Sequence, residues 1–130
     1  MRYMAIDYGT KRVGISLSDE RGEFAFAHAV AKADKHLVLT LAALCKEKAV
    51  GAIVVGESRN FKGEENPIMK QVHAFVKNLQ EAAGIPVILE PEFMTSAEAS
   101  HIQGAGDMLD ASAAALILKS YLDKKANSAL

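Results

Sequence analysis

The hydrophobic period of the chain changes near residue 33, and this change restricts the folds that the sequence can adopt. Before it lie three short runs of β-forming residues, at positions 3–8, 12–18 and 24–28, separated by turn residues. After it, apolar residues recur at the spacing of one helix face, and short apolar runs at 52–55 and 87–90 alternate with helical segments. This order predicts an α/β fold that opens with an antiparallel meander of three strands.

Capping residues predict the bounds of the first two helices. Asp34 is predicted to be the N-cap of the first helix, because the apolar stripe of that helix begins just after it. Asn66, followed by Pro67, is predicted to begin the second helix, and Gly84 is predicted to end it.

Two further helical segments complete the predicted fold. A capping box at residues 95–98 predicts a short helix, and a segment rich in Ala and Leu predicts a last helix from about residue 107 to about residue 125. Because crossover connections are right-handed, the fourth and fifth strands should lie parallel to the first. The predicted fold class is therefore α/β, with a mixed five-stranded sheet of three antiparallel strands and then two parallel ones, flanked by helices in a single domain, residues 1–130.

Composition limits the setting in which the protein works. A single cysteine, Cys45, cannot form an internal disulfide, and the sequence has neither a signal-peptide pattern nor a long apolar run. We therefore expect a cytoplasmic protein with no membrane partner. Lys and Arg number 15 against 16 Asp and Glu, for a formal net charge of -1. Binding to nucleic acid would thus require basic residues that are grouped locally.

Acidic residues stand where the parallel strands end, which is where α/β sheets bind their ligands. These acids are Asp7, Glu57, Glu90 and Glu92, and Asp107 and Asp110 open the last predicted helix. Such residues also serve as helix caps, so one of them alone is weak evidence. Clustered carboxylates repel one another and usually hold divalent cations, and oxygen ligands favour Mg²⁺ or Mn²⁺. Two such ions can promote hydrolysis of a phosphodiester.

The first strand ends in a turn that suits contact with phosphate or metal. Asp7 lies in the segment AIDYGT at residues 5–10, where a glycine permits close approach of the backbone. This segment is typical of either a metal-binding acid or a phosphate-binding hairpin. Phe61, in the loop after the fourth strand, could stack on a base. Contacts to nucleic acid are predicted for the polar and basic residues around these turns: Thr10, Lys11, Arg12, Arg59, Asn60 and Lys62.

Signatures at both ends of the chain resemble those of one family. The segments are AIDYGTKRVGIS at residues 5–16 and LD at 109–110, which runs into AAALILKSYL at 113–122. They resemble the YqgF family, relatives of the RuvC Holliday junction resolvases within the ribonuclease H-like fold. The resemblance spans nearly the whole chain. Between the two signatures, Val54-Val55-Gly56 with Gly63, and the segment at 95–99, are similar to further family motifs.

The resemblance implies a metal-dependent nuclease. It implies that Asp7, Glu92 and Asp110 are the acids that hold Mg²⁺ or Mn²⁺. It also implies that the substrate is precursor 16S ribosomal RNA, with water as the nucleophile. The ribosome and its assembly factors are further candidate partners. The chain departs from the family pattern where Pro91 and Phe93 replace an Asp and an Arg beside Glu92.

A second departure concerns the end of the fourth strand. Glu57-Ser58-Arg59 stands where the family has Leu-Pro-Leu. More distant ribonuclease H-like enzymes carry an acid at the end of this strand. We therefore predict that Glu57 is a fourth catalytic and metal-binding acid, which shares or takes over the role of the fifth-strand acid.

Two other functions remain open on the sequence, and the length of the chain argues against a third. A nuclease that cuts structured DNA junctions would act as a homodimer, whereas an RNA nuclease could be a monomer. A non-catalytic binder of structured RNA, or of a ribosome-assembly partner, would not need the metal. Sugar kinases and actin-like phosphotransferases share the Asp-x-Gly-Thr turn, but they close two such domains over a nucleotide and this chain is long enough for one.

Overall fold

A computed structural model describes residues 1–93 and 107–128 of the chain, which form five strands and three helices in that part. The elements are β1 (Arg2–Tyr8), β2 (Arg12–Ser18), β3 (Ala25–Lys32), α1 (Leu37–Glu47), β4 (Val50–Arg59), α2 (Met69–Ala83), β5 (Val87–Phe93) and α3 (Asp107–Ser128). The short helix predicted from the capping box of Thr95 and Glu98 lies outside the described residues.

The strands form one sheet in the order β3-β2-β1-β4-β5. β1 pairs antiparallel with β2, and β2 pairs antiparallel with β3. On its other side β1 pairs parallel with β4, which pairs parallel with β5. The predicted mixed sheet, with its central first strand, is thus confirmed, and β1, β4 and β5 all end at the same edge.

The two faces of the sheet have separate hydrophobic cores, because successive residues of a strand point to opposite sides. One core packs β1 and β4 against α1 and α2, and includes Met4, Ile6, Ile53, Val55, Leu41 and Phe75. The other packs the same two strands against α3, and includes Tyr3, Ala5, Ala52, Val54, Ile117 and Leu118. Helices on both faces were predicted, and the alternation assigns the residues of β1 from Tyr3 onward and of β4 from Ala52 onward to one face or the other, past the register shift at the start of the two strands.

Asp34 is not the N-cap of α1, as the sequence predicted. The helix begins at Leu37, and His36 occupies the N-cap position. The Asp34 carboxylate instead accepts a hydrogen bond from the backbone N–H of His36 (3.0 Å), and its carbonyl accepts one from Leu37 (3.1 Å). Asp34 therefore shapes the turn that leads into the helix.

The second helix also begins later than predicted. α2 starts at Met69, with Ile68 at the N-cap position. The Asn66 side chain donates a hydrogen bond to Oγ of Ser58 (2.8 Å), so the amide holds this segment against β4 rather than capping the helix. Gly84 ends α2 as predicted, with the left-handed φ of 68° that glycine adopts without strain.

Three strands extend beyond the apolar runs that predicted them. β3 continues to Lys32, β4 to Arg59 and β5 to Phe93. Backbone pairing accounts for the added length, because β4 and β5 remain in register as far as Arg59 and Phe93 whatever their side chains are. Glu57 therefore lies inside β4 rather than after it, and strand alternation decides where its side chain points.

Glu90 holds α3 against the sheet. Its carboxylate is buried and accepts hydrogen bonds from Oγ of Ser120 (3.0 Å) and Nζ of Lys124 (2.5 Å). On β2, buried Ser16 donates to the carbonyl of Ala114 in the same helix (2.8 Å). These contacts at both ends of the packed segment set the position of α3 over β1 and β4.

The last helix is long enough to raise the question of a membrane span. α3 has 22 residues, but charged side chains such as Lys119, Asp123 and Lys124 interrupt its apolar sequence. Within residues 1–93 and 107–128, no helix combines the length and the apolar character needed to cross a membrane.

Cys45 provides a test of the core, because it is the single cysteine of the chain. It is buried on α1, and burial raises the pKa of its thiol to about 11. At pH 8 we expect the native thiol to react with a chromogenic disulfide about a hundredfold more slowly than the thiol of the denatured chain. Equal rates in the two states would contradict this packing.

Candidate active site

Asp7 and Glu92 lie on the same face of the sheet, near the edge where the parallel strands end. Asp7 follows Tyr3 and Ala5 at alternate positions of β1, and these two residues pack in the α3 core. Glu92 follows Glu90 by two residues on β5, and Glu90 contacts α3. Both carboxylates therefore lie on the α3 side.

Gly56 makes the space that these carboxylates share. It lies on β4, between the strands that carry Asp7 and Glu92. A Cβ atom at this position would lie 2.9 Å from Oε2 of Glu92 and 2.7 Å from Cδ1 of Ile117, closer than real Cβ contacts. The Glu92 carboxylate thus extends over the backbone of β4, which a side chain there would prevent.

A cavity of about 200 Å³ contains both carboxylates. It is lined by Asp7, Tyr8, Gly56, Ser58, Ile68, Val72, Glu92 and Ala113. The sequence analysis identified the two acids but missed Gly56 and Ala113. A glycine inside an apolar strand was the available signal for Gly56, since it often marks a close approach of another group.

The first turns of α3 lie beside this cavity. Ala111 is buried, and Ala113 lines the cavity wall. Asp110 belongs to the same helix and precedes Ala113 by three residues, close to one helical turn. The side chain of Asp110 lies outside the described residues, so its predicted role as a metal ligand stays a prediction.

Glu57 is not brought to Asp7 and Glu92. It follows Ile53 and Val55 at alternate positions of β4, and those residues pack against α1 and α2 on the other face. Glu57 is 8% exposed, and its Oε1 accepts a hydrogen bond from Nε of Arg59 at 2.5 Å. Its side chain therefore belongs to the α1–α2 face, and Glu57 is not among the residues that line the cavity.

The predicted nucleic-acid contacts after β4 differ in how their side chains are used. The Arg59 guanidinium contacts Glu57 and the carbonyl of Gly63, and the hydrogen bond that Arg59 donates to the Glu57 carboxylate raises the pKa of Arg59. The Asn60 side chain accepts hydrogen bonds from backbone N–H groups of its own loop. Lys62 is exposed at the tip of that loop.

The predicted contacts after β1 lie next to Asp7. Thr10 and Lys11 are exposed in the turn that joins β1 to β2, and Arg12, the first residue of β2, is exposed as well. Gly9 is required for this turn, because a Cβ atom there would lie 2.5 Å from the carbonyl oxygen of Arg12. Two cationic side chains thus stand at the rim of the edge where Asp7 lies.

The donor set suits a hard divalent cation. In the part of the chain that the structure describes, no group of three or more His, Cys, Asp or Glu side chains comes together. Asp7 and Glu92 bring two carboxylates to one cavity, and oxygen donors of this kind favour Mg²⁺ or Mn²⁺ over Zn²⁺. A cation would also offset the mutual repulsion of two carboxylates in a confined space.

Known proteins resemble this chain over nearly its whole length. The family model described as "RuvX: Holliday junction resolvase" matches residues 1–124. A "Putative pre-16S rRNA nuclease" of Lawsonia intracellularis is 37% identical over 134 residues, covering 95% of this chain and 94% of the relative. A protein of the same name from Thermoanaerobacter pseudethanolicus is 33% identical over 138 residues, with 98% and 99% coverage.

A solved structure confirms the ribonuclease H-like fold. T. thermophilus RuvC in complex with a Holliday junction substrate superposes with a TM-score of 0.60, at 16% identity, covering 96% of each chain. At that identity the likeness shows the fold alone. The family match over residues 1–124, together with relatives at 33% and 37% identity, shows that the chain belongs to the RuvX family.

Proposed function

We propose that this protein is a metal-dependent nuclease that hydrolyses RNA phosphodiester bonds in the maturation of precursor 16S ribosomal RNA. As a member of the RuvX family, it is a hydrolase that acts on phosphodiester bonds. The observation that carries the proposal is the shared cavity of Asp7 and Glu92 over Gly56. The names of the 33–37% identical relatives support RNA as the substrate.

The metal would be held by carboxylates of β1, β5 and α3. Asp7 and Glu92 line the cavity, and we assign the third ligand to Asp110, close to one turn before Ala113 of the cavity wall. When bound, Mg²⁺ or Mn²⁺ acidifies a water molecule and offsets the negative charge that develops on the phosphate.

The protein side chains around the cavity bind and orient the strand. Lys11 and Arg12 offer positive charge to backbone phosphates beside Asp7, and the Thr10 hydroxyl is a further donor at that rim. Ile117 and Ala113 form an apolar wall on the α3 side, which lowers the local dielectric constant and strengthens these contacts. In the reaction, the water oxygen bonds to phosphorus and gives up one proton, while the bond to the leaving oxygen breaks and the leaving oxygen takes up one proton.

Cleavage of four-way DNA junctions is the second candidate function. The description of the matching family, Holliday junction resolvase, favours it. Symmetric cutting of two strands requires a dimer with two active sites. Light scattering that finds only a monomer at working concentrations would therefore favour the RNA nuclease.

Replacing either cavity acid should abolish cleavage. We expect Asp7→Asn and Glu92→Gln each to lower the rate by about a hundredfold or more, because each removes a charged metal ligand. The assay compares labelled precursor 16S RNA with a four-way DNA junction, in Mn²⁺ and in chelator, and the substrate that is cut decides between the two functions. Glu81→Gln, at an exposed acid on α2, is the control.

Two results would contradict the proposed function. Equal cleavage by wild type, Asp7→Asn and Glu92→Gln would show that the cavity acids take no part in the reaction. RNA binding without cleavage by the wild type, unchanged in chelator and in Asp7→Asn, would instead indicate a non-catalytic RNA binder that serves ribosome assembly.

Gly56→Ala should disable the site without removing any functional group. The added methyl would lie too close to Oε2 of Glu92 and Cδ1 of Ile117, so both side chains must shift from their present positions. A displacement near 1 Å can lower the rate by about a hundredfold. Overpacking should also cost about 1–3 kcal/mol of unfolding free energy.

Cleavage rate and urea unfolding of Gly56→Ala measure the two effects. Adding Ile117→Val relieves the contact with Ile117 but not the one with Glu92. The double variant should therefore regain stability but not activity. Wild-type activity in Gly56→Ala would show that Glu92 need not lie over Gly56.

A further inference from the structure

Phe61 stands out among the side chains that the core and the carboxylate site leave unused. It is 77% exposed, more than any other large apolar side chain among the described residues. Lys62 beside it is also exposed. Both lie at the tip of a hairpin, residues 59–65, that follows β4 at the edge of the sheet where Asp7 and Glu92 lie. An aromatic ring that is exposed to water at this edge can stack against a flat apolar group of a ligand.

The hairpin backbone is closed by hydrogen bonds. Arg59 and Glu65 form an antiparallel bridge, and the N–H of Asn60 donates to the carbonyl of Glu64 at 2.8 Å. Inside this pair, the N–H of Gly63 donates to the carbonyl of Asn60 at 3.0 Å. Gly63 has a φ of +82°, which permits the tight turn.

The Asn60 side chain orders the tip from within. Its Oδ1 accepts hydrogen bonds from the backbone N–H groups of Lys62 (2.9 Å) and Glu64 (3.0 Å). The Asn60 side chain thus links Asn60 to Lys62 and Glu64, which are three of the five residues of the tip. A tip that is already ordered loses little conformational entropy when it binds a ligand.

Arg59 ties the hairpin to β4 through Glu57. Its Nε donates to Oε1 of Glu57 at 2.5 Å, and its Nη1 donates to the carbonyl of Gly63 on the far side of the turn. Since Glu57 is 8% exposed inside β4, the guanidinium links the sheet to the tip of the loop. Glu57 does not line the cavity of Asp7 and Glu92, and it binds the arginine of the hairpin instead.

We propose that Phe61 stacks on a base of the bound RNA strand, with Lys62 against a neighbouring phosphate, and that Glu57 is the positioning residue that holds their hairpin through Arg59. The proposal rests on the proposed nuclease function and adds a substrate contact to it. Aromatic rings bind bases of any sequence by stacking, and lysine binds the backbone without regard to sequence.

The position of the hairpin supports a contact close to the cleaved phosphate. Ser58 pairs with Glu92 in the β4–β5 register, and Phe61 follows it by three residues. At about 3.3 Å per residue, the tip lies within about 10 Å of that pair along the chain. A nucleotide near the cavity could therefore reach Phe61.

The surroundings of Phe61 favour a nucleotide over a protein partner. Its neighbours in the loop are Asn60, Lys62 and Glu64, which are polar or charged. A stable protein interface needs a much wider contact area, with an apolar centre. One ring beside one ammonium group matches the face of a base and the adjacent phosphate.

Binding measurements on Phe61→Ala test the contact. The probe is a short, labelled single-stranded RNA of mixed sequence, titrated in chelator so that it is not cut. We expect the Kd to rise by about 5- to 150-fold, the range for loss of one stacked base. Phe24→Ala is the matched control, because Phe24 is 63% exposed and precedes β3 at the other edge of the sheet. Its Kd should equal that of the wild type.

A fluorescent variant reports stacking directly. The chain has no tryptophan, so Phe61→Trp introduces a single indole at the tip. RNA should quench its emission, and the same strand without bases should quench it far less. A Phe24→Trp variant should show no such difference.

Three variants test the positioning role of Glu57. The double variant Glu57→Leu/Arg59→Met removes both charges together, which avoids a buried unpaired charge. We expect its Kd to rise as in Phe61→Ala, with little further rise when the two are combined. On precursor RNA the loss should fall on KM rather than on kcat. Glu57→Gln keeps an oxygen acceptor for Arg59 and should retain most of the RNA affinity.

Each outcome decides one part of the proposal. Equal Kd values for Phe61→Ala and Phe24→Ala, or equal quenching by RNA with and without bases, would overturn the stacking contact. Loss of kcat in Glu57→Gln, with RNA affinity kept, would assign Glu57 to the metal and overturn its positioning role. Metal-dependent cleavage that requires Asp7 would survive either result, so the nuclease function is tested separately. A wild type that neither binds RNA in chelator nor cleaves it in Mn²⁺ would overturn both.

Discussion

The position of β4 between β1 and β5 is the constraint on which the site depends. Parallel pairing carries all three strands to one edge, so that residues far apart in sequence end together. The strand between the two acids then has little room for a side chain where Glu92 lies over it. Gly56 meets this requirement, since any Cβ atom there would meet Glu92 and Ile117. The space of the cavity thus depends on glycine at position 56 as well as on the carboxylates that line it.

Three glutamates near this edge have three different uses, which their neighbours decide. Glu57 lies on the α1–α2 face and contacts Arg59. Glu90 lies on the α3 face but is covered by the helix, where Ser120 and Lys124 bind it. Glu92, two residues further on, passes beyond those contacts and lines the cavity with Asp7. Because successive residues of a strand point to opposite faces, the residues directly before and after Glu57 on β4 belong to the α3 face instead.

Much of the fold follows from the hydrophobic pattern, and the errors have physical causes. The change of period predicted the order of the elements and the mixed sheet, and Gly84 ends α2 as predicted. Strand ends were predicted too early, because backbone pairing extends β4 and β5 past their apolar residues. Asp34 and Asn66 were predicted as helix caps, but Asp34 accepts a hydrogen bond from His36 in the turn before α1, and Asn66 forms a hydrogen bond that the local sequence does not reveal. Asn66 in particular binds Ser58, a residue of a different element.

The sequence by itself determined which residues are apolar enough for the core and which acids follow the parallel strands. It also determined the family, because the signature segments at both ends of the chain are read without coordinates. Only the tertiary structure decided which acids meet. Glu90 is engaged by Lys124, 34 residues away, and Glu57 is on the far face because β4 continues through it. Such partners come from packing between distant elements, and local sequence does not encode that proximity.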